Sequence, residues 1–319
     1  MNMMSKNIPT IVITGPTASG KTKLSLELAK NNNGEIINAD IMQMYEGFNI
    51  LKAMPSTDER REIKHYLFGF IKKEIKFTVA DWIKLAKDKI SEIHEKGKVP
   101  IVVGGSGMYL NAAINGLSEI PDIKKVYRHK AEHSYRIKGF DFILKKLIKI
   151  DKDFKIEKND RQRLIRAYEV FLQTGRSIKW WQNNSVNEPI IKNCLKILIS
   201  PPRYELYSFI DQRVDLMVEK GLINEAKNEM LNVVSFDNPS MKAIGIKYLN
   251  QYLNKEISLN DTLNLIKKDS RRYAKRQSTW FINSFSYYII YNKYIQGILN
   301  LLIRLLRHLI CYILKDKNI

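Results

Sequence analysis

Cysteine is scarce in this sequence. Cys194 and Cys311 are the only two among 319 residues, and they stand far apart in the chain. Such a pair supplies neither a disulfide framework nor the clustered thiolates of a structural zinc site. It is typical of proteins in a reducing compartment.

Long uninterrupted apolar runs are also missing. Residues 1–17 contain no apolar stretch of signal-peptide length, and the apolar segment 294–314 runs for only ten residues before Arg304 interrupts it. Because a spanning helix needs about 20 apolar residues, we expect no membrane span and a cytoplasmic protein. The polar face of that segment favours docking on the protein body or on a partner over lying on a membrane surface. The residues of this face are Asn300, Arg304, Arg307 and His308.

Acidic residues are outnumbered by basic ones. The 33 Asp and Glu face 53 Lys and Arg, which gives a net charge of +20 and a pI near 9.7. One interpretation is a polyanionic partner, either nucleic acid or an anionic membrane surface. The other is a general excess of lysine on solvated faces, and charge alone leaves both open.

Short β-branched runs alternate with helical patterns outside the middle of the chain. The predicted strands are residues 8–14, 34–40, 98–103 and 194–199, and the first two predicted helices are 21–30 and 78–97. Strands that alternate with helices indicate a parallel sheet covered on both faces, so we expect an α/β fold of the P-loop NTPase-like kind.

The turn after the first strand has the pattern G-x-x-x-x-G-K-T. Its glycines allow backbone amides to surround phosphate oxygens, the lysine adds a positive charge, and the threonine hydroxyl is a ligand for Mg²⁺. The predicted phosphate-binding residues are Gly15, Pro16, Thr17, Ala18, Ser19, Gly20, Lys21 and Thr22.

A carboxylate is absent where a nucleotide hydrolase needs one. The strand at 98–103 ends in Gly104 and Gly105, whereas hydrolases of this class place a metal-binding acid at the end of such a strand. Asp40 is the only carboxylate predicted at a strand end beside the loop, and it is either a general base or an ordinary turn residue. Ser106, in the second glycine-rich turn, offers a hydroxyl at a neighbouring strand end.

Residues 120–199 are predicted to form a basic, mostly helical insertion. Residues 122–150 alone contain nine Lys or Arg against three Asp or Glu. The core would then comprise 1–119 and 200–282, with a tail of unknown role at 283–319. Two helical tracts carry basic faces that suit RNA phosphates or plain solvent. Their residues are Gln162, Arg163 and Arg166 in the first, and Arg271, Arg272, Lys275 and Arg276 in the second.

Seven segments follow one another along nearly the whole chain in a specific order. They are GPTASGKT, NAD with Gln43 and Tyr45 after it, VGGSGMYL, LSEIP, NDRQRLIRAYEV, KAIGIKYL and RRYAKRQSTWF. Together they resemble one family, the tRNA dimethylallyltransferases. The resemblance implies transfer of a dimethylallyl group from its diphosphate, with Mg²⁺, to the exocyclic amine of the adenosine 3′ of the anticodon.

The resemblance also implies roles for single residues. Lys21 and Arg128 would stabilise charge on the departing diphosphate, and Asp40 would accept a proton from the attacking amine, with Ser106 beside it. The positions that would contact the anticodon stem-loop of tRNA are Asp40, Ile41, Met42, Gln43, Ser106, Arg128, Gln162, Arg163, Leu164, Ile165 and Arg166.

The sequence departs from the family pattern in a few places. Ile41 stands where serine is usual, Ser106 replaces threonine, and ILKAMP at 50–55 replaces a stretch like IGTAKP. Three alternatives therefore stay open: a small-molecule kinase, a prenyltransferase acting on free adenine nucleotides, and an RNA-binding protein with a relic phosphate loop. We expect a monomer.

Overall fold

The chain forms two compact units in a computed structural model that describes residues 8–231, 235–284, 286–287 and 289–291. One unit is formed from the ranges Met1–Ile114 and Ile191–Ile319, and the other is Asn115–Ile190. The apolar segment 294–314 and its polar face lie outside the described residues.

The first unit is built on a parallel sheet of six strands. β1, β2 and β4 are buried along their whole length, as expected for a parallel sheet with both faces covered. The strand order is β3-β2-β4-β1-β5-β6, which confirms the predicted P-loop NTPase-like architecture. The strands are β1 (Thr10–Thr14), β2 (Gly34–Asn38), β3 (His65–Tyr66), β4 (Val99–Gly104), β5 (Cys194–Ile199) and β6 (Ile289–Tyr291).

Helices of the first unit cover this sheet and carry loops to its carboxyl edge. The capping box predicted at Thr78 and Asp81 is present, and Trp82 in the next turn donates its indole N–H to the carbonyl of Asn38 at 2.8 Å. The helices are α1 (Lys21–Asn31), α2 (Ile41–Met44), α3 (Thr57–Glu62), α4 (Val79–Glu95) and α5 (Gly107–Asn115).

The second unit contains three further helices, α6 (Lys125–Ile150), α7 (Arg161–Thr174) and α8 (Ile178–Asn184). Gly139 interrupts α6 with a non-helical backbone, and Gly175 ends α7 in the left-handed conformation. Helices α6 and α7 pack on a small apolar core of their own, in which Ile143, Leu147 and Leu164 are buried.

The remaining helices follow β5 and return to the first unit. They are α9 (Arg203–Glu219), α10 (Leu222–Met230), α11 (Ile246–Leu253) and α12 (Leu259–Ser284). The described residues contain no helix long and apolar enough to cross a membrane.

The boundaries of the second unit differ from the predicted insertion. Composition predicts an insertion over 120–199, but its last residues are the strand that the sequence also predicts at 194–199, and Cys194–Ile199 pairs with β1 in the register Thr10↔Cys194. Residues 194–199 therefore belong to the sheet, and the compact helical unit ends at Ile190.

Candidate functional site

The phosphate loop lies between β1 and α1, and its first residue, Gly15, has no room for a side chain. A Cβ on Gly15 would lie 2.5 Å from the carbonyl oxygen of Ile199, and Gly15 has a φ of +150°, so only glycine fits. Gly20 precedes α1 in the left-handed conformation, which leaves the first N–H groups of the helix for an anion. Residues 17–22 of the loop line a cavity of about 320 Å³.

Lys21 is partly buried at the base of this loop. Its ammonium donates to the carbonyl oxygens of Gly15 at 2.9 Å and Pro16 at 2.7 Å. Burial lowers the pKa of Lys21 to about 8, an effect that the charge of Asp40 partly offsets. An ammonium that is partly removed from water and has no carboxylate in direct contact is well suited to an anionic ligand.

Asp40 lies two residues beyond the end of β2 and caps the short helix α2. One carboxylate oxygen accepts from the N–H of Met42 at 3.1 Å, and the Asn38 side chain accepts from the N–H of Asp40 at 2.8 Å. These bonds fix the direction of the carboxylate. Burial raises the pKa of Asp40, whereas the charge of Lys21 and the backbone N–H groups act in the opposite direction.

The second glycine-rich turn brings Ser106 against the same helix. The Ser106 hydroxyl accepts from the N–H of Ile41 at 3.1 Å, and its own N–H donates to the carbonyl of Ala39 at 3.2 Å. A hydroxyl that accepts a bond from a backbone amide keeps its hydrogen for donation. Ser106 thus braces the start of α2 beside Asp40 and has one donor to offer a substrate.

Two residues that contact the phosphate loop were not found by sequence reasoning. Arg213 of α9 donates to the Thr17 hydroxyl at 2.8 Å, and burial lowers its pKa to about 10. Gln277 of α12 accepts from the N–H of Thr17 at 2.8 Å and donates to the carbonyl of Gly105 at 2.9 Å. Gln277 lies inside the segment RRYAKRQSTWF that supports the family resemblance. No sequence pattern around Arg213 indicates that Arg213 belongs to the site.

A second cavity, of about 310 Å³, adjoins the first. Asp40, Thr17 and Arg213 line both cavities, so the carboxylate and the guanidinium face two spaces. Apolar side chains and further cations both line the second cavity, where α9, α12 and residues 242–244 approach it. The apolar and aromatic members of its lining include Ile41, Met42, Leu51, Val214, Met217, Ile244, Ile266 and Tyr273, and the polar members include Gln43, Lys52, Lys242, Ser270 and Arg276.

The segment 50–55, which departs from the family pattern, is held from two sides. The Gln43 amide donates to the carbonyls of Lys52 and Ala53, both at 2.9 Å. The Glu225 carboxylate accepts from the N–H groups of Ile50 at 2.7 Å and Leu51 at 3.1 Å. The two N–H groups of the Gln43 amide are therefore already used inside the protein.

The other predicted site residues belong to the second unit. The Arg128 guanidinium lies 3.2 Å from Glu132 and 3.9 Å from the buried Glu169, and Arg166 donates to Glu169 at 2.7 Å. Arg163 is 80% exposed and pairs with Asp160 at 3.3 Å. Gln162 is exposed as well. The assignment of Arg128 to the diphosphate stays a prediction.

Two of the expected RNA contacts need correction. Leu164 is fully buried and Ile165 is 6% exposed, because both face the apolar core between α6 and α7. Their side chains stabilise the second unit and do not face solvent. The run from Gln162 to Arg166 thus offers an RNA only its polar members.

The basic tract of α12 also differs from expectation. The sequence predicts a basic face that suits RNA phosphates or solvent. One terminal nitrogen of Arg271 instead donates to both carboxylate oxygens of Asp211, at 2.5 and 2.8 Å. A neighbouring helix already neutralises this guanidinium.

A divalent metal fits the phosphate loop only when a bound diphosphate supplies part of its coordination shell. Among the described residues, no group of three or more His, Cys, Asp or Glu is placed to hold a metal. Thr22 and Asp40 both line the first cavity. Mg²⁺ takes few protein ligands and completes its shell with phosphate oxygens and water, so this donor set suits a metal brought by a diphosphate.

Comparisons with known proteins agree with this geometry. Residues 43–284 match the family model of the IPP transferases. The tRNA dimethylallyltransferase of Ehrlichia chaffeensis is 38% identical over 282 residues, covering 88% of this chain and 93% of that protein. The tRNA dimethylallyltransferase of Acetivibrio thermocellus is 43% identical over 276 residues, with 85% and 88% covered.

Solved structures give the same result. The full-length tRNA isopentenylpyrophosphate transferase of Bacillus halodurans has a TM-score of 0.70 at 35% identity, covering 98% of this chain and all of that one. A eukaryotic dimethylallyltransferase acting on tRNA has a TM-score of 0.79 at 27% identity, covering 96% of this chain and 80% of that one. The chain therefore belongs to the IPP transferase family.

Proposed function

We propose that this chain transfers a dimethylallyl group from dimethylallyl diphosphate to the N6 amine of the adenosine immediately 3′ of the anticodon in tRNA. The observation that carries the proposal is Asp40. This partly buried carboxylate lines both the phosphate-loop cavity and the second cavity, whose lining combines apolar side chains with cations. One group thus faces a space suited to a diphosphate and a space suited to an apolar or aromatic partner.

The cations around the loop serve the leaving group. The allylic C–O bond breaks, and its electron pair stays on the diphosphate, whose charge must be stabilised. Lys21 and Arg213 are partly buried cations beside the loop amides, and their partial removal from water strengthens their effect on developing negative charge. Mg²⁺, held by Thr22 and the phosphate oxygens, would supply further charge neutralisation when bound.

Asp40 serves the nucleophile. The exocyclic nitrogen forms the new N–C bond, and one of its protons passes to the carboxylate. Burial raises the pKa of Asp40, which makes the carboxylate a better proton acceptor than an exposed aspartate. The Ser106 hydroxyl still has its hydrogen to donate and is suited to orient the adenine by a hydrogen bond.

The second unit supplies the charge for RNA binding. It contains 17 Lys and Arg against 10 Asp and Glu between residues 115 and 190. Gln162, Arg163 and Arg166 lie on its surface and suit contacts with the phosphate backbone. We place the enzyme in the cytoplasm as a monomer, with tRNA and dimethylallyl diphosphate as its substrates.

One assay tests the proposal. Purified protein is incubated with labelled dimethylallyl diphosphate and Mg²⁺, together with tRNA, AMP or ATP. We expect label in tRNA only. Label in AMP or ATP would identify a prenyltransferase of free nucleotides, and label in none of the three would favour the kinase or RNA-binding alternative.

A further inference from the structure

An exposed tryptophan lies at the corner between α7 and α8. After Gly175, the Ser177 hydroxyl accepts from the N–H of Trp180 at 3.1 Å and so begins α8. Trp181 turns inward and donates its indole N–H to the Thr174 hydroxyl at 3.3 Å. Trp180 is 38% exposed. Trp181 therefore anchors the corner, while Trp180 leaves part of a large ring in solvent.

The surroundings of Trp180 are cationic. The Arg176 guanidinium lies 5.0 Å from the centre of the Trp180 ring, within the range of a cation–π interaction. The Trp181 ring lies 5.1 Å away at an angle of 88° and supports Trp180 from the side. Both contacts hold the indole in one orientation without covering all of it.

The charge of the unit indicates the partner. Besides the excess of basic residues between 115 and 190, Arg176 and Lys179 flank the exposed ring in sequence. Lys179 lies 3.6 Å from Asp153, and both side chains are at least half exposed. An aromatic ring with a guanidinium beside it, on a positively charged surface, suits an unpaired nucleobase whose phosphate lies nearby.

We propose that Trp180, supported by Arg176 and Trp181, is a stacking platform for one unpaired base of an RNA. That the RNA is a tRNA rests on the function proposed above. Stacking on an aromatic side chain contributes about 1–3 kcal/mol per base. Replacing Trp180 by alanine should therefore weaken binding of a single-stranded loop by about tenfold or more.

The test compares RNA binding by full-length variants. The dissociation constant is measured for an anticodon stem-loop, for the same stem-loop with an abasic loop, and for an RNA duplex. We expect Trp180→Ala to weaken binding of the intact stem-loop by about tenfold, Trp180→Phe to restore most of it, and duplex binding to stay unchanged. On the abasic loop, wild type and Trp180→Ala should bind equally. Ile137→Ala, which removes another exposed apolar side chain of this unit, is the matched control and should bind like wild type.

Equal stem-loop binding by wild type and Trp180→Ala would overturn the platform, and so would an equal loss on the duplex. Circular dichroism confirms that the variants are folded. The two proposals fail separately. If the wild-type protein transfers label to tRNA but Trp180→Ala binds the stem-loop as well as wild type, the platform is contradicted and the enzyme function is not. If stem-loop binding depends on Trp180 but no label is transferred, the enzyme function is contradicted and the platform is not.

Discussion

At the scale of single residues, burial acts on Lys21 and Asp40 in opposite directions. It lowers the pKa of the ammonium to about 8 and raises the pKa of the carboxylate, while the charge of each group opposes the shift of the other. The pKa values of both groups are therefore closer to neutral pH than they would be in water. The free enzyme should respond to pH through both of them.

The alkaline limb of the pH profile tests Lys21. Above pH 8 the ammonium loses its proton, and with it the charge that attracts the diphosphate, so kcat/KM for dimethylallyl diphosphate should fall. Lys21→Arg carries a guanidinium that holds its proton well above pH 8, so it should show a lower rate without the fall near pH 8. The measurement is kcat/KM between pH 6 and about 10.

Lys52 provides the control, because burial also lowers its pKa to about 8. Its ammonium donates to the backbone carbonyls of Tyr45 and Glu46. Lys52→Arg should therefore keep the alkaline limb. A limb that vanishes in Lys52→Arg and persists in Lys21→Arg would contradict the assignment to Lys21.

Asp40→Asn separates proton acceptance from local structure. Asparagine caps a helix about as well as aspartate, so α2 should still form, but the amide cannot accept the proton. We expect transfer to fall by about 10²–10⁴-fold while the dissociation constant for tRNA changes little. Asp40→Ala should abolish transfer as well. A near-normal single-turnover rate for either variant would refute the role of Asp40 as the base.

At the scale of elements, the predicted features are those with a local signal. A few neighbouring residues are enough to predict the capping box of α4, the phosphate loop and the strand at Cys194–Ile199. The contacts of Arg213 and Gln277 cannot be predicted in this way, because their partner Thr17 lies 196 and 260 residues away in sequence. The side of the site formed by α9 and α12 is thus a product of packing that no single sequence shows.

The second glycine-rich turn depends on a close approach of two strand ends. A Cβ on Gly104 would lie 2.1 Å from the carbonyl oxygen of Ala39, and backbone on both sides leaves little room to move. Gly104→Ala should reduce the free energy of unfolding by about 2 kcal/mol or more. It should also reduce transfer, because Ala39 directly precedes Asp40.

Gly97→Ala is the comparison for this variant. A Cβ there meets nothing within 4 Å, and the change costs only the strain of a φ of +66°, about 1 kcal/mol. Thermal unfolding midpoints of the three proteins should fall in the order wild type, Gly97→Ala, Gly104→Ala. The reverse order of the two variants would show that the strand ends can separate.

At the scale of the whole molecule, the net charge is compatible with a polyanionic partner but does not identify the residues that would contact it. The +20 charge is spread over both units, and some of it is used internally, as Arg271 with Asp211 shows. Arg163 is exposed, whereas Leu164 and Ile165, which the family resemblance places at the RNA, are buried between helices. Which cations face solvent follows from packing between helices, which one sequence specifies only in outline.

The salt dependence of tRNA binding tests the role of this charge. Phosphate contacts release counterions, so the logarithm of the binding constant should fall linearly with the logarithm of salt concentration. Arg163 is 80% exposed, and its pair with Asp160 at 3.3 Å is open to solvent and weak, so a phosphate can replace the carboxylate. Arg163→Gln should therefore make the slope shallower by about one. Arg271→Gln should leave the slope unchanged, since Asp211 already pairs with this guanidinium. Equal slopes for wild type and Arg163→Gln would remove Arg163 from the RNA interface, and a slope near zero for wild type would show that tRNA binding does not depend on the basic surface.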